Sequence, residues 1–227
     1  MSFGLVLVSG GKSTRFLTDP ANRNSIPKTW IEWDGKPMFI HSLSNLFSAI
    51  DFEEAVVVAP ESDVHNYRQV LDRFEFRNVQ VTKGGARRQD SVRSGLRLLS
   101  KSERVAIHDA ARPFLTKEFL VGLFETAKTR RAVVPGLAIY ETIKEIDNEG
   151  FIKQTHPRNR FVRIQTPQIF DRELIRNLHE KLSGREHEFT DDAMLAEHVG
   201  EQVFCAKGDP QNIKVTTPED LRPYGII

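Results

Sequence analysis

Short, nearly continuous apolar runs recur along this chain, each closed by glycine or polar residues and separated by stretches with helical periodicity. Phe3 to Val8 ends at Ser9-Gly10-Gly11, and Ala55 to Ala59, Val79 to Val81, Val105 to Ile107 and Ala132 to Val134 read as the same kind of buried strand. Between them, Pro37 opens a helix over Met38 to Ala49 with Phe39, Leu43, Leu46 and Phe47 on one face. Ser62 is placed to cap a second helix carrying Val64, Tyr67, Val70, Leu71 and Phe74, and further helices are expected over Ser91 to Leu99 and Lys117 to Thr129. Such alternation predicts an α/β fold, a mostly parallel twisted sheet with helices on both faces. Ligands of these sheets bind beyond the carboxyl ends of the strands.

After Gly136 the texture changes. Tyr140 to Ile146 alternates, Asp147-Asn148-Glu149-Gly150 is a turn and Phe151 to Gln154 is extended again, which describes a hairpin outside the alternating order, an arm over about 138–160. Phe161 to Gln165 reads as a strand, Asp171 as the cap of a helix reaching Leu182, and Asp191 to His198 as a short helix. Val203 to Ala206 and Ile213 to Val215 read as two more strands. No internal repeat or interdomain linker interrupts the pattern, so residues 1–227 are expected to form a single domain.

Composition narrows the partners. With 32 basic against 31 acidic residues the net charge is +1, which argues against a broad nucleic-acid or membrane footprint. Cys205 is the only cysteine, so neither an intramolecular disulfide nor a thiolate zinc cluster is expected, and a reducing, cytoplasmic setting fits. The N-terminus lacks the positive region of a signal peptide, and no apolar stretch approaches the ~20 residues of a membrane helix.

Three polar segments follow predicted strands: Gly10 to Arg15, Gly84 to Ser91 and His108 to Arg112. In the first, Gly10 and Gly11 let backbone NH groups approach phosphate oxygens and Arg15 adds a charge-assisted contact, although a glycine pair alone also suits an ordinary turn. The spacing is neither G-x-G-x-x-G nor a P-loop. Lys28 is a cation of the kind that neutralises charge in nucleotidyl transfer, although a lysine taken alone is far more often a solvated surface residue. The second segment sets Gly84, Gly85, Ala86, two arginines and Ser91 before a helix, where anions are favoured; Asp90 or Ser91 as a plain cap is the competing reading. In the third, Asp109 is placed to orient a ligand hydroxyl or lie near a metal, and Arg112 to hold a phosphate or pair with Asp109. Thr190-Asp191-Asp192 suits a helix cap, while Lys214, inside an apolar stretch, needs a partner or an anionic ligand.

These residues form an ordered set. SGGKSTRF (Ser9 to Phe16), PK (Pro27-Lys28), GGARRQDSVRSGL (Gly84 to Leu96) and HDAARPF (His108 to Phe114) are followed by ETIK (Glu141 to Lys144) and TPQIF (Thr166 to Phe170). TDDAMLAE (Thr190 to Glu197) and NIKVTTPEDL (Asn212 to Leu221) complete the series. Together they resemble the 2-C-methyl-D-erythritol 4-phosphate cytidylyltransferase family over nearly the whole chain. The resemblance implies a Rossmann-like sheet with a protruding β-arm that embraces a second subunit, making a homodimer. It implies transfer of CMP from CTP to 2-C-methyl-D-erythritol 4-phosphate, releasing pyrophosphate, in non-mevalonate isoprenoid precursor synthesis.

On the same footing, Arg15 and Lys28 are expected to stabilise the transition state, and Arg158 and Lys214 to position the substrate phosphate. Asp109, Arg112, Thr142 and Thr190 are expected to contact the polyol phosphate, with Thr142 and Arg158 reaching across from the partner's arm. Ser91 and the backbone at Gly10, Gly11, Gly85, Ala86 and Ala110 would surround CTP. The task of such a site is to bring two anions together, and basic side chains with Mg²⁺ do this. No dense carboxylate cluster is visible, so Mg²⁺ is expected to be carried mainly by the CTP phosphates.

The chain departs from the family pattern at Ser13, where a loop glycine is usual, at Thr29, where glutamine is common, at Glu141, where aspartate is typical, and in a longer Arg15–Lys28 interval. Ribitol-5-phosphate cytidylyltransferase shares most of these motifs and is the alternative within the same chemistry. From another class, a non-catalytic nucleotide-binding protein would be marked by loss of Arg15, Lys28, Arg158 or Lys214, all of which are present.

Overall fold

The computed structural model describes residues 1–10, 16, 26–184 and 189–226. The first half alternates as expected: β1 (Phe3–Val8), a small hairpin of β2 (Glu32–Trp33) and β3 (Lys36–Pro37), α1 (Met38–Ala49), β4 (Glu54–Ala59), α2 (Val64–Arg73), β5 (Val79–Lys83), α3 (Arg88–Leu96), β6 (Arg104–Asp109), α4 (Lys117–Thr129) and β7 (Ala132–Ala138). The second half holds β8 (Ile143–Ile146), β9 (Ile152–His156), β10 (Val162–Ile164), β11 (Gln168–Asp171), α5 (Arg172–Lys181), α6 (Asp192–His198), β12 (Phe204–Lys207) and a closing 3₁₀ turn at Pro218–Tyr224.

Among the described residues eight strands form one sheet, ordered β10-β7-β11-β6-β1-β4-β5, with β12 also paired to β7. β1 runs parallel to β4 and β6, with Leu5 opposite Ala55 and Ala106. The strand period of two explains the layering. Phe3, Leu5 and Leu7 point to one face and pack with α1, α2 and α4 through Leu43, Tyr67 and Leu120, whereas Val6 points to the other and packs with α3, α5 and α6 through Val92, Ile175 and Ala196. A third, smaller cluster of Phe16, Met38, Ala111, Val215 and Leu221 lies beside these two.

The expected α/β architecture, mostly parallel with helices on both faces, is therefore present, and so is the hairpin arm. β8 and β9 pair with each other, Ile143 opposite His156, and with no other described strand. Asp171 and Asp191 cap α5 and α6, each carboxylate accepting a hydrogen bond from the amide three residues on. Three local expectations need correction, and one strand was not anticipated. Ser62 does not cap α2, because a 3₁₀ turn over Glu61–Asp63 intervenes and the helix begins at Val64. α3 begins at Arg88, so Ser91 lies inside it and is not a cap. Ile213 to Val215 forms no strand; the Val215 N–H donates to the Ala111 carbonyl at 2.8 Å beside the sheet. β11 is an added strand that runs antiparallel between β6 and β7, its apolar run too short to carry a readable period. No helix among the described residues is long and apolar enough to cross a membrane.

Candidate active site

A cavity of about 280 Å³ opens where β1, β5 and β6 end. Its walls come from the polar segments that follow those strands, together with two lysines delivered from elsewhere. Ser9 and Gly10 leave β1, Gly85 and Ala86 leave β5, and Asp109 is the last residue of β6. Lys28 enters on a 3₁₀ turn, Lys28–Trp30, and Lys214 on the segment before the closing turn.

The glycine turn after β5 is braced locally. The Ser91 hydroxyl accepts from the Gly85 amide at 3.1 Å and donates to the Arg87 carbonyl at 3.2 Å. A Cβ on Gly85 would collide with the Asp90 side chain, so the turn needs glycine there. Arg87 in turn makes a bidentate pair with Asp90, at 3.0 and 3.1 Å.

Arg88 organises the charged floor. Its Nε donates to Asp109 Oδ1 at 3.2 Å and a terminal nitrogen to Asp192 Oδ2 at 2.8 Å. Asp192 is buried, and its other oxygen accepts from His179 Nε2 at 3.0 Å. Gln168 of β11 holds the start of α6 in place, its Oε1 accepting the Asp192 and Ala193 amides at 3.1 Å. Lys214 Nζ donates to the second oxygen of Asp109 at 2.6 Å. Burial alone would raise the Asp109 pKa, but Arg88 and Lys214 outweigh it and hold this carboxyl far below the ordinary carboxylate range. Burial likewise disfavours the Arg88 cation, and Asp192 and Asp109 reverse the balance and raise its pKa. The cavity thus keeps a fixed carboxylate between two fixed cations, with Lys28 Nζ donating to the Val215 carbonyl at 3.1 Å nearby.

The structure brings Lys28, Lys214, Asp109, Gly10, Gly85, Ala86 and Ser91 to this one cavity. Arg15 and Gly11 lie outside the described residues. Ala110 is fully buried behind the wall, where its carbonyl accepts from Ser42, and Ala111 faces the cavity instead. Arg112 does not pair with Asp109 by a hydrogen bond; it donates to the Asn212 carbonyl at 2.9 Å and the Ile164 carbonyl at 3.4 Å. Thr190 is exposed before α6, its hydroxyl near the Met194 sulfur. Thr142 and Arg158 are exposed at the base of the arm, Arg158 donating to the Tyr140 carbonyl at 2.6 Å.

The chain is similar to known proteins over nearly its whole length. The family profile described as IspD: 2-C-methyl-D-erythritol 4-phosphate cytidylyltransferase matches residues 5–225. The chain belongs to the 2-C-methyl-D-erythritol 4-phosphate cytidylyltransferase family. A family member from Caldanaerobacter subterraneus subsp. tengcongensis is 37% identical over 225 residues, covering 97% of this chain and 96% of the relative. Another, from Clostridium perfringens, is 35% identical over 217 residues, covering 95% and 94%. Among solved structures, the 4-diphosphocytidyl-2C-methyl-D-erythritol synthase of Anaerococcus prevotii superposes with a TM-score of 0.83 at 27% identity, covering 97% of this chain and 93% of its own.

Within this cytidylyltransferase fold, sequence reasoning missed Arg88 as the residue that ties the floor together. The paired arginines at the start of α3 were a visible signal, but the partner, Asp192, lies 104 positions away and no window of sequence joins them. Thr29 and Ala111 also line the cavity and were not expected there.

Proposed function

We propose that this cavity is the seat of the family reaction. The chain is a nucleotidyltransferase that moves CMP from CTP to 2-C-methyl-D-erythritol 4-phosphate in isoprenoid precursor synthesis. An oxygen of the substrate phosphate bonds to the α-phosphorus of CTP as the bond from that phosphorus to pyrophosphate breaks. The attacking oxygen is already anionic, so the site needs no general base; it needs to cancel repulsion and hold the two reactants in line.

The observation that carries this reading is the convergence of Lys28 and Lys214, from opposite ends of the chain, on one cavity beside a glycine turn. In it, Lys28 with Arg15 neutralises the charge that builds on the phosphates. Lys214, aimed by Asp109, holds the substrate phosphate together with Arg158. Asp109 stays anionic and accepts from polyol hydroxyls, with Arg112, Thr142 and Thr190 completing that end. Backbone groups at Gly10, Gly11, Gly85, Ala86 and Ala110 surround CTP, with Ser91 acting through the turn it braces.

Asp109 is the one carboxylate among the described cavity-lining residues, and both its oxygens already accept from Arg88 and Lys214. That donor set suits a Mg²⁺ held chiefly by triphosphate oxygens, where it would offset phosphate charge. The exposed arm supports a homodimer: Tyr140, Phe151, Ile152 and Ile146 are 79, 68, 64 and 60% exposed in the isolated chain, an apolar surface that a second subunit would cover. Thr142 and Arg158 would then serve the partner's cavity. A cytoplasmic location agrees with a substrate pair of this kind and with the single, unpaired Cys205.

Mixing the protein with CTP, Mg²⁺ and 2-C-methyl-D-erythritol 4-phosphate is expected to release pyrophosphate, and Lys28→Ala to remove about 2–4 kcal/mol of transition-state stabilisation. Release with ribitol 5-phosphate but not with 2-C-methyl-D-erythritol 4-phosphate, or no release with either, overturns the reading.

A further inference from the structure

Tyr67 lies on α2 and is fully buried. Its ring meets Trp30 edge-on at 4.8 Å and Phe39 at 4.5 Å, contacts that a phenylalanine would make as well. The hydroxyl is what the packing does not require. It lies 2.6 Å from the Ser9 hydroxyl and 3.0 Å from the Thr29 hydroxyl, both on residues that line the cavity. Ser9 immediately precedes Gly10 and Thr29 immediately follows Lys28, so one buried phenol joins the two flanks of the segment that carries Arg15 and delivers Lys28. Burial pushes the Tyr67 pKa up to about 12, so the phenol keeps its proton at working pH and can donate to one hydroxyl while accepting from the other. Leaving any of these buried hydroxyls unpaired would be costly, which makes the bridge a strong local restraint.

We propose that Tyr67 is a positioning residue, its hydroxyl clamping Ser9 to Thr29 so that Lys28 is held in register with Ser9 and Gly10 at the end of β1. The proposal rests on the reading of Lys28 as a transition-state stabiliser. Thr29 supplies the second hydroxyl of the bridge.

The test is Tyr67→Phe, which keeps the ring and its packing. The expected result is a fall in kcat of about tenfold with KM for CTP and for the polyol phosphate changed by less than about twofold. Amide hydrogen exchange over residues 26–31 should quicken in the same variant. Thr29→Val should reproduce both effects, the double variant should add little to either single one, and Thr29→Ser, which keeps the hydroxyl, should behave as the parent. Unchanged kcat in Tyr67→Phe overturns the proposal, whether or not the melting temperature drops, because a purely structural role would do no more than lower the latter. A lower kcat with unchanged exchange over 26–31 also overturns it. Full turnover in Lys28→Ala would instead sink the reading of Lys28, and the exchange measurement would then still decide whether the clamp exists.

Discussion

His108 shows how one residue next to the site sets a pH limit on the fold. It is fully buried, its Nε2 lies 3.1 Å from the Arg112 carbonyl and its Nδ1 lies 2.9 Å from the Thr166 hydroxyl. A carbonyl can only accept, so Nε2 carries the proton and Nδ1 accepts from Thr166, whose oxygen in turn accepts the Asp109 amide at 3.2 Å. Burial pushes the His108 pKa down to about 4 from the ordinary 6.5. Between those values the unfolded chain binds a proton that the folded chain refuses, so stability falls as pH drops through this window and is level above it. The loss amounts to about 3 kcal/mol by pH 4. Asp109 and Asp192, whose carboxyls are depressed by their cationic partners, add a further loss only below the ordinary aspartate value of 3.8. Urea unfolding at pH 7, 5.5 and 4 should show the first slope, and His108→Gln should flatten it; an unchanged slope would mean that another group carries the proton.

At the scale of elements, α3 braces the glycine turn that lines the cavity, and its seat on the sheet depends on Gly95. A Cβ there would stand 2.7 Å from a Val6 methyl and 2.9 Å from a Val58 methyl, both on stiff β-branched side chains of β1 and β4. Gly95→Ala is therefore expected to lift the helix and cost about 1–3 kcal/mol. Gly122, in α4, has nothing within 4 Å of the same atom, so Gly122→Ala should stabilise by about 0.5–1 kcal/mol through helix propensity. Chemical denaturation of the two variants should move in opposite directions, and a shared direction would contradict this account of how α3 sits. The helix periods, the caps at Asp171 and Asp191 and the glycine turns were legible in the sequence because each depends on neighbours within a few positions. The start of α3 was not, since Arg88 is drawn into the helix by its ion pairs across the fold to Asp109 and Asp192.

For the whole molecule, the arm carries the largest consequence. If each cavity borrows Thr142 from the partner's arm, then Thr142→Ala and Lys28→Ala subunits, inactive alone, should regain activity when mixed. Half the dimers would be mixed and one of their two sites intact, giving about a quarter of the parental rate. No recovery would place both residues in a site built within one chain. Local patterning determined the alternation, the sheet's two buried faces, the arm, and the glycine and aspartate positions at strand ends, because side-chain periodicity reports burial directly. Tertiary structure alone decided that β11 slots antiparallel between β6 and β7, that Lys28 bonds a carbonyl 187 positions away, and that the side chains of Arg88, Tyr67 and Gln168 tie distant segments together. Those pairings follow from strand order and helix docking, which are settled by the free energy of the whole packed molecule and leave no mark in any short stretch of chain.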